Sequence, residues 1–326
     1  MRYVNPFSET SVGLFFCNNS TYSYIKFKVS LMGCKGNFLK SRCPEWKEDF
    51  MFYAMFLEGQ SLWNVPLLAF LICIALLYVV LVLSFTEIKL NQKQPLLFFL
   101  SIVIMYLAFG SPFEKISHLS FSLHMLQLSI LYFIIPPLFL LGIPDSFLHH
   151  IQNLTLFVRV SKFFLAPIAA LYAFGVLFLM YHFPVVLTTI SQNTVVHNGY
   201  LLVLLLLSIR MWGPIAAPEL NHNGSTRQNK RYLFLSGLVL MPACLLFILT
   251  GLIGGMNNPL LTELTANLCI SPSQIDSLNL LPAPFNTRLD QMFAGILMLG
   301  MHKFGLILTV RLGKKVNSGT VVGMVD

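Results

Sequence analysis

Residues 65–85 read VPLLAFLICIALLYVVLVLSF, an apolar stretch without a single charged side chain. A helix of about 20 such residues crosses the hydrocarbon core of a bilayer. Six later segments approach this length, near residues 95–113, 118–142, 163–181, 196–215, 232–255 and 292–310. Because backbone groups in lipid find no water to bond, we expect each segment to be helical. The sequence therefore predicts an all-α polytopic membrane protein, a bundle of seven transmembrane helices.

The composition supports a membrane protein and argues against other classes. Of the 326 residues, 56% are hydrophobic and only 10% are charged, too few to cover a soluble globule of this size. The net charge is +8, but the lysines and arginines are scattered between apolar runs and form no basic, aromatic-interleaved patch. We therefore expect a lipid bilayer as the surroundings and no nucleic-acid partner.

The lysines and arginines between the segments predict the orientation of the chain. One side has ten of them, whereas the other side, from residue 51 onward, has Lys115 and Arg288. Cytoplasmic loops are enriched in such residues. We therefore place the N-terminal side outside the cell and the C-terminus in the cytoplasm. The ten are Lys89, Lys93, Arg159, Lys162, Arg227, Lys230, Arg231, Arg311, Lys314 and Lys315.

Residues 1–50 do not fit this orientation, because they place seven lysines and arginines on the outer side. One hypothesis is that translation begins at Met51; the alternative is a disordered or loosely folded N-terminal extension. We divide the chain into this extension (1–50), a membrane domain (51–312) and a cytoplasmic tail (313–326).

Polar side chains within the segments indicate where a functional site lies. Ser120, His124 and Gln127 form a stripe on the third segment, and Gln291, Gly295, Met298 and His302 form another on the seventh. Polar groups in lipid usually face the bundle interior, so we expect the two stripes to face each other across a central cavity near the outer leaflet. We interpret the lysine after His302, Lys303, as snorkelling toward the cytoplasmic interface.

The orientation brings four histidines, His118, His124, His182 and His197, to the outer face. Imidazole and thioether ligands suit copper, and Met125 follows His124 while Met298 and His302 lie deeper in the membrane. The prediction is a copper site built from His124, other histidines and a methionine. The alternative is structural: a membrane histidine often bonds between helices, and methionines often only pack. Catalytic motifs are absent from the sequence, so we do not expect an enzyme.

Several motifs together resemble one family. They are Gly110-Ser111-Pro112, His124-Met125-Leu126-Gln127, Pro136-Pro137 with Gly142 and Pro144, Tyr181-His182-Phe183-Pro184, Met211-Trp212-Gly213-Pro214, and Asp290-Gln291 with Gly295. Over roughly residues 55–312 the chain resembles the CtaG family, which are seven-helix assembly factors of caa3-type cytochrome c oxidase. The resemblance implies that the chain matures this oxidase, with its subunits as partners, in the plasma membrane of a Gram-positive bacterium.

One departure from the family pattern bears on the metal. Many relatives carry a second histidine four residues after the first, where this chain has Leu128. A copper site therefore needs ligands from other helices. Two other functions stay open: a membrane transporter for copper or another small solute, and a structural scaffold without metal.

Overall fold

The structure is a computed structural model that describes residues 12–18, 21–27, 63–85, 92–144, 166–216, 226–254, 285 and 287–322. The chain divides into two compact units. One comprises Ser61–Pro259 and Ala283–Asp326, and the other comprises Met1–Gln60 and Leu260–Pro282. The suggested start at Met51 lies outside the described residues and stays a prediction.

In the second unit the described residues form a β-hairpin. Strand β1 (Val12–Asn18) pairs antiparallel with β2 (Thr21–Phe27), with Asn18 opposite Thr21 and Val12 opposite Phe27. Both strands contain aromatic and β-branched residues, which favour extended backbone. The all-α expectation thus applies to the other unit, where each described element is a helix.

The helices of that unit follow the apolar segments. They are α1 (Val65–Phe85), α2 (Lys93–Phe109), α3 (Phe113–Ser117), α4 (Phe121–Ser129), a π-helix (Ile130–Ile134), α5 (Ile135–Leu141), α6 (Pro167–Tyr181), α7 (Pro184–Ser191), α8 (Thr194–Ala216), α9 (Thr226–Ile253) and α10 (Arg288–Val322).

Five spans among the described residues are long and apolar enough to cross a membrane: α1, Phe121–Leu141, α8, and most of α9 and α10. A sixth is obtained if α6 and α7, which meet at a bend of 85°, count as one broken span. Helix α2 is apolar but has only 17 residues. The multi-helix membrane architecture is therefore confirmed, while the count of seven and the orientation stay predictions.

The span Phe121–Leu141 lies at the centre of the helical unit. Of the residues in its apolar stretch, 72% are buried inside the protein, compared with 17% for α1 and 39% for α10. The outward faces of the other helices carry large apolar side chains such as Leu76, Val103 and Phe293. Apolar exposed faces around one buried span are the arrangement expected when lipid is the solvent.

The two prolines of this central span explain its packing. Pro136 and Pro137 have no N–H group, so the carbonyls four residues earlier lose their helical partners. The Tyr132 carbonyl instead accepts hydrogen bonds from Ser208 Oγ at 2.6 Å and Trp212 Nε1 at 2.9 Å, both on α8. The proline pair thereby links the central span to α8.

The second freed carbonyl, that of Phe133, lies against Gly305 of α10. A Cβ atom on Gly305 would be 2.4 Å from this oxygen, far closer than van der Waals contact. Only glycine lets α10 approach the kinked backbone this closely. The local winding is looser here too, since the Ile135 N–H bonds to the Ile130 carbonyl, five residues back.

At the far end of the central span, Gly142 packs against α2. A Cβ there would lie 2.5 Å from the Phe98 backbone nitrogen. Tyr78 of α1 stacks on Phe98 with ring centroids 3.7 Å apart, and its hydroxyl donates to the Gly142 carbonyl at 2.7 Å. The Pro-Pro-x4-Gly pattern thus joins α1, α2, α8 and α10 to one span.

Candidate metal site

The site begins at the N-terminus of α4, which a carboxylate from α10 caps. Asp290 accepts hydrogen bonds from the Phe121 N–H at 2.9 Å and the Ser122 N–H at 3.3 Å. The hydroxyl of Ser120, the residue preceding α4, donates to the same carboxylate at 2.9 and 3.0 Å. A negative group at a helix N-terminus satisfies free N–H groups and the helix dipole. Asp290, only 2% exposed, therefore fixes where α4 starts.

This cap positions His124 and the preceding turn. The His124 N–H bonds to the Ser120 carbonyl at 3.0 Å in the first turn of α4. His118 lies in the turn between α3 and α4, and the two imidazole centroids are 5.9 Å apart. Two imidazoles on one metal have centroids roughly 5–6.5 Å apart, because each nitrogen lies about 2 Å from the ion. The pair is therefore close enough to share an ion.

Tyr181, at the end of α6, separates His124 from His197. Its ring stacks on His124 at a centroid distance of 6.2 Å and on His197 at 6.0 Å. Its hydroxyl lies 3.0 Å from His197 Nε2 in a hydrogen bond. His197, in the first turn of α8, therefore already has a partner for one ring nitrogen.

His182 follows Tyr181, with its ring 5.4 Å from the tyrosine ring. Its Nδ1 hydrogen-bonds to the Phe178 carbonyl, whereas its Nε2 is buried without a hydrogen bond. A histidine held through Nδ1–H to a carbonyl presents Nε2 as an unprotonated, metal-binding nitrogen. His182 therefore has the orientation of a metal ligand.

Both ring nitrogens of His124 are also buried without hydrogen-bond partners, and the residue is 6% exposed. His118, His182 and His197 lie close enough to His124 to interact with it electrostatically. We call His118, His124, Tyr181, His182 and His197 the histidine cluster. Orphaned polar atoms in a buried site require an explanation such as an ion or a water molecule.

The protonation of His118 also suits a ligand. Burial, with smaller contributions from Lys115 and His197, lowers the pKa of His118 to about 4. The imidazole is therefore neutral at pH 7, the form that binds metal.

The cluster does not form a complete metal cage in this conformation. Within the described ranges, no three His, Cys, Asp or Glu side chains are arranged to hold one ion. The unbonded nitrogens fit a metal in chemistry and proximity, but a site with three such ligands needs rotation of at least one ring. Among the metals that imidazoles bind, Cu(I) accepts few ligands and also binds soft ones such as thioethers. It therefore suits this incomplete set of histidines best.

The remaining predicted ligands divide between two depths. Met125, beside His124 on α4, is 2% exposed. On α10, Met298 and His302 are each 1% exposed. His302 lies 12 residues beyond Asp290, about 18 Å along the helix, whereas His124 is only about 6 Å beyond Ser120. The structure thus brings four of the predicted histidines together and leaves Met298 and His302 outside that group.

His302 has a separate environment. Its ring lies 5.2 Å from Phe133 and 6.2 Å from Trp212, and neither ring nitrogen has a hydrogen bond. It packs where the freed carbonyls of the central span meet α8 and α10.

Two members of the polar stripes, Gln127 and Gln291, do not face each other across a shared cavity. Gln127 points to α2 and α3, where it donates to the Ala108 carbonyl at 2.9 Å and accepts from Ser117 Oγ at 2.7 Å. Gln291 donates to Thr250 of α9 at 2.6 Å. The spacing of polar residues along a helix does not determine how the helix is rotated about its axis. The amides of Gln127 and Gln291 therefore bond to helices other than each other's.

Tyr181 and Asp290 are the two residues that sequence reasoning missed. In the sequence, Tyr181 stands out only as the residue before His182, and Asp290 only as the residue before Gln291. Their roles depend on α6 and α10 meeting α4.

Together, the apolar spans and the buried histidines near one end of the central span define a multi-pass membrane protein with a candidate ligand-binding site. A profile of the Caa3_CtaG family, described as cytochrome c oxidase caa3 assembly factor, matches residues 76–312. The match covers more than half of the chain, and the protein belongs to this family. No curated protein and no solved structure gives a significant match.

Proposed function

We propose that this assembly factor binds copper at the histidine cluster and passes it to the oxidase during maturation. The observation that carries the proposal is the unbonded ring nitrogens of His124 and His182, buried near His118 in one group. Neutral imidazoles bind Cu(I) or Cu(II), and Met125 and Met298 lie on the two helices that the Asp290 cap joins. The proposed role is non-enzymatic, since transfer of an ion between ligand sets needs no catalytic residue.

We further propose seven transmembrane helices in the plasma membrane of a Gram-positive bacterium, with the histidine cluster at the outer face. The basic residues at the opposite end support this orientation. There Lys93 of α2 donates to the Lys315 carbonyl of α10 at 3.0 Å, so the ends of both helices share one level. Ions delivered from outside the cell reach the cluster without crossing the bilayer.

The first experiment measures copper on the purified protein. Elemental analysis and Cu(I) titration against a competing chelator compare wild type with His124→Ala and His182→Ala. We expect at least a tenfold loss of affinity in each, since even residues that only support a metal ligand cost about 10–100-fold. His302→Ala is the matched control, a buried histidine outside the cluster, and should keep wild-type affinity. Wild-type affinity in His124→Ala would contradict the proposal.

The second experiment links the site to maturation. In a strain without the gene, we expect inactive or copper-depleted caa3 oxidase, restored by wild type but not by His124→Ala. Fully metallated oxidase without the gene overturns the proposed function. Full maturation by His124→Ala supports a scaffold without metal, and copper uptake into proteoliposomes supports a transporter.

A further inference from the structure

Lys303 is a charged residue on the outward face of α10, deep in a transmembrane span. The span Arg288–Val316 contains it, and eight residues, about 12 Å of helix, separate it from Arg311 at the basic end. Its neighbour His302 points inward, whereas Lys303 is exposed. Charged side chains at such depth in lipid are expensive and normally pair with another group.

The ammonium group does not snorkel to the membrane surface. Nζ lies against Gly237 of α9, 3.1 Å from where a Cβ of that glycine would be. The antiparallel helices pair Gly251 with Met292 and Gly295 with Cys244, which places Gly237 level with residues 302–306 of α10, near the middle of the span. Side chains on α10 also leave the helix toward its N-terminus, away from the basic end. The ammonium group therefore lies near the middle of the span and does not reach the basic end.

No carboxylate in the described part of the chain can neutralise this charge. The described side chains include only two, Glu114 and Asp290. Asp290 lies 13 residues away on the same helix, about 20 Å along its axis, and it caps α4. Glu114 is in α3, near the same end as Asp290. Lys303 forms no hydrogen bond or ion pair within the described ranges.

The surface around Lys303 has the shape of a helix-docking face. Exposed residues recur every three or four positions along α10, so they form one stripe facing away from the bundle. A Cβ on Gly300, one turn before Lys303, would meet no atom within 4 Å. Small residues in such a stripe let another backbone approach closely. The α10 stripe comprises Phe293, Ile296, Gly300, Lys303, Phe304, Ile307 and Val310.

We propose that the α10 stripe docks a transmembrane helix of an oxidase subunit that carries one Asp or Glu level with Lys303. Charge complementarity indicates this partner, because in hydrocarbon the ammonium group of Lys303 is stabilised most by a carboxylate. The apolar residues of the stripe would pack against the partner helix, and Gly300 would set the closest approach. This inference rests on the assembly role but not on copper binding.

A photo-cross-linking amino acid at Phe304 tests the docking face in the full-length protein in its native membrane. We expect a cross-link to a membrane-spanning peptide that contains a carboxylate, identified by mass spectrometry. Lys303→Met should lower its yield on the order of tenfold, because one member of a desolvated charge pair is lost. Lys303→Arg should retain it, since the charge remains. Cross-links to lipid alone, or an unchanged yield in Lys303→Met, overturn the proposal.

A charge exchange and a steric block make the test specific. Lys303→Glu should abolish the cross-link, and changing the partner's carboxylate to lysine should restore it; failure to restore it contradicts direct pairing. Gly300→Leu should block docking, whereas Gly199→Leu, at another helical glycine with open space, should not. Lys303→Met should still bind copper and His124→Ala should still cross-link, so failure of this inference is separable from failure of the proposed function.

Discussion

The substitution Asp290→Ala tests the link between α10 and the start of α4. It removes the acceptor of two backbone N–H groups, those of Phe121 and Ser122, and of the Ser120 and Ser122 hydroxyls. Loss of a helix cap costs about 0.5–2 kcal/mol, and a buried donor left without a partner costs about 1–3 kcal/mol. The serine hydroxyls are 3.1 Å apart and can bond to each other, which recovers part of the loss. We expect a net destabilisation of about 2–4 kcal/mol.

The measurement is thermal unfolding of the detergent-solubilised protein, followed by amide hydrogen exchange at the start of α4. For a domain of this size about 2–4 °C of Tm corresponds to each kcal/mol, so we expect Tm to fall by roughly 5–15 °C. Exchange should accelerate at Phe121 and Ser122 and not in α1. Thr287→Ala is the control, because the Thr287 hydroxyl accepts a long bond of 3.4 Å from the Asp290 N–H and does not cap α4. A Tm within 2 °C of wild type, about the effect of 1 kcal/mol, with unchanged exchange would refute the capping role.

Three further predictions concern the packing of the helical unit and the cluster. Gly305→Ala should destabilise the protein by about 1–3 kcal/mol or more because its Cβ meets a backbone oxygen at 2.4 Å, while Gly300→Ala, with open space, should not lower Tm in thermal unfolding. Trp212→Phe and Ser208→Ala should each cost about 1 kcal/mol in the same assay, and the double variant should cost more than their sum because the shared carbonyl then has no donor. Tyr181→Phe keeps the ring stacking but frees Nε2 of the histidine on α8, so Cu(I) affinity in the chelator titration should stay equal or rise; a tenfold fall would show that the hydroxyl itself binds the ion.

Much of the helical architecture follows from the local sequence. The prediction of a span at residues 65–85 coincides with α1, because an uninterrupted apolar run permits no other element in lipid. The irregular winding of the central span is also local in origin, because Pro136 and Pro137 have no N–H group to donate. By contrast, the bend between α6 and α7 separates two short helices that the hydropathy pattern presents as one segment and a loop.

The candidate site was predicted in part. Hydropathy and charge assign a depth to each histidine, and this was enough to group His118, His124, His182 and His197 near one end. Depth alone does not give the rotation of a helix about its axis. The sequence therefore did not show that Gln127 and Gln291 bond to other helices, and Tyr181 was overlooked as the ring between two histidines.

The sequence by itself determined that the chain forms apolar helices, at which level its polar residues lie and to which family it belongs. These properties depend on short stretches of sequence and on how favourably each stretch enters lipid. Neither requires contacts between residues that are distant in the chain. Only the tertiary structure decided which side chains meet. Ser120 and Asp290 are 170 residues apart in the chain, and their contact depends on how α4 and α10 pack. Packing likewise decided that His302 is buried while Lys303, one residue later, is exposed.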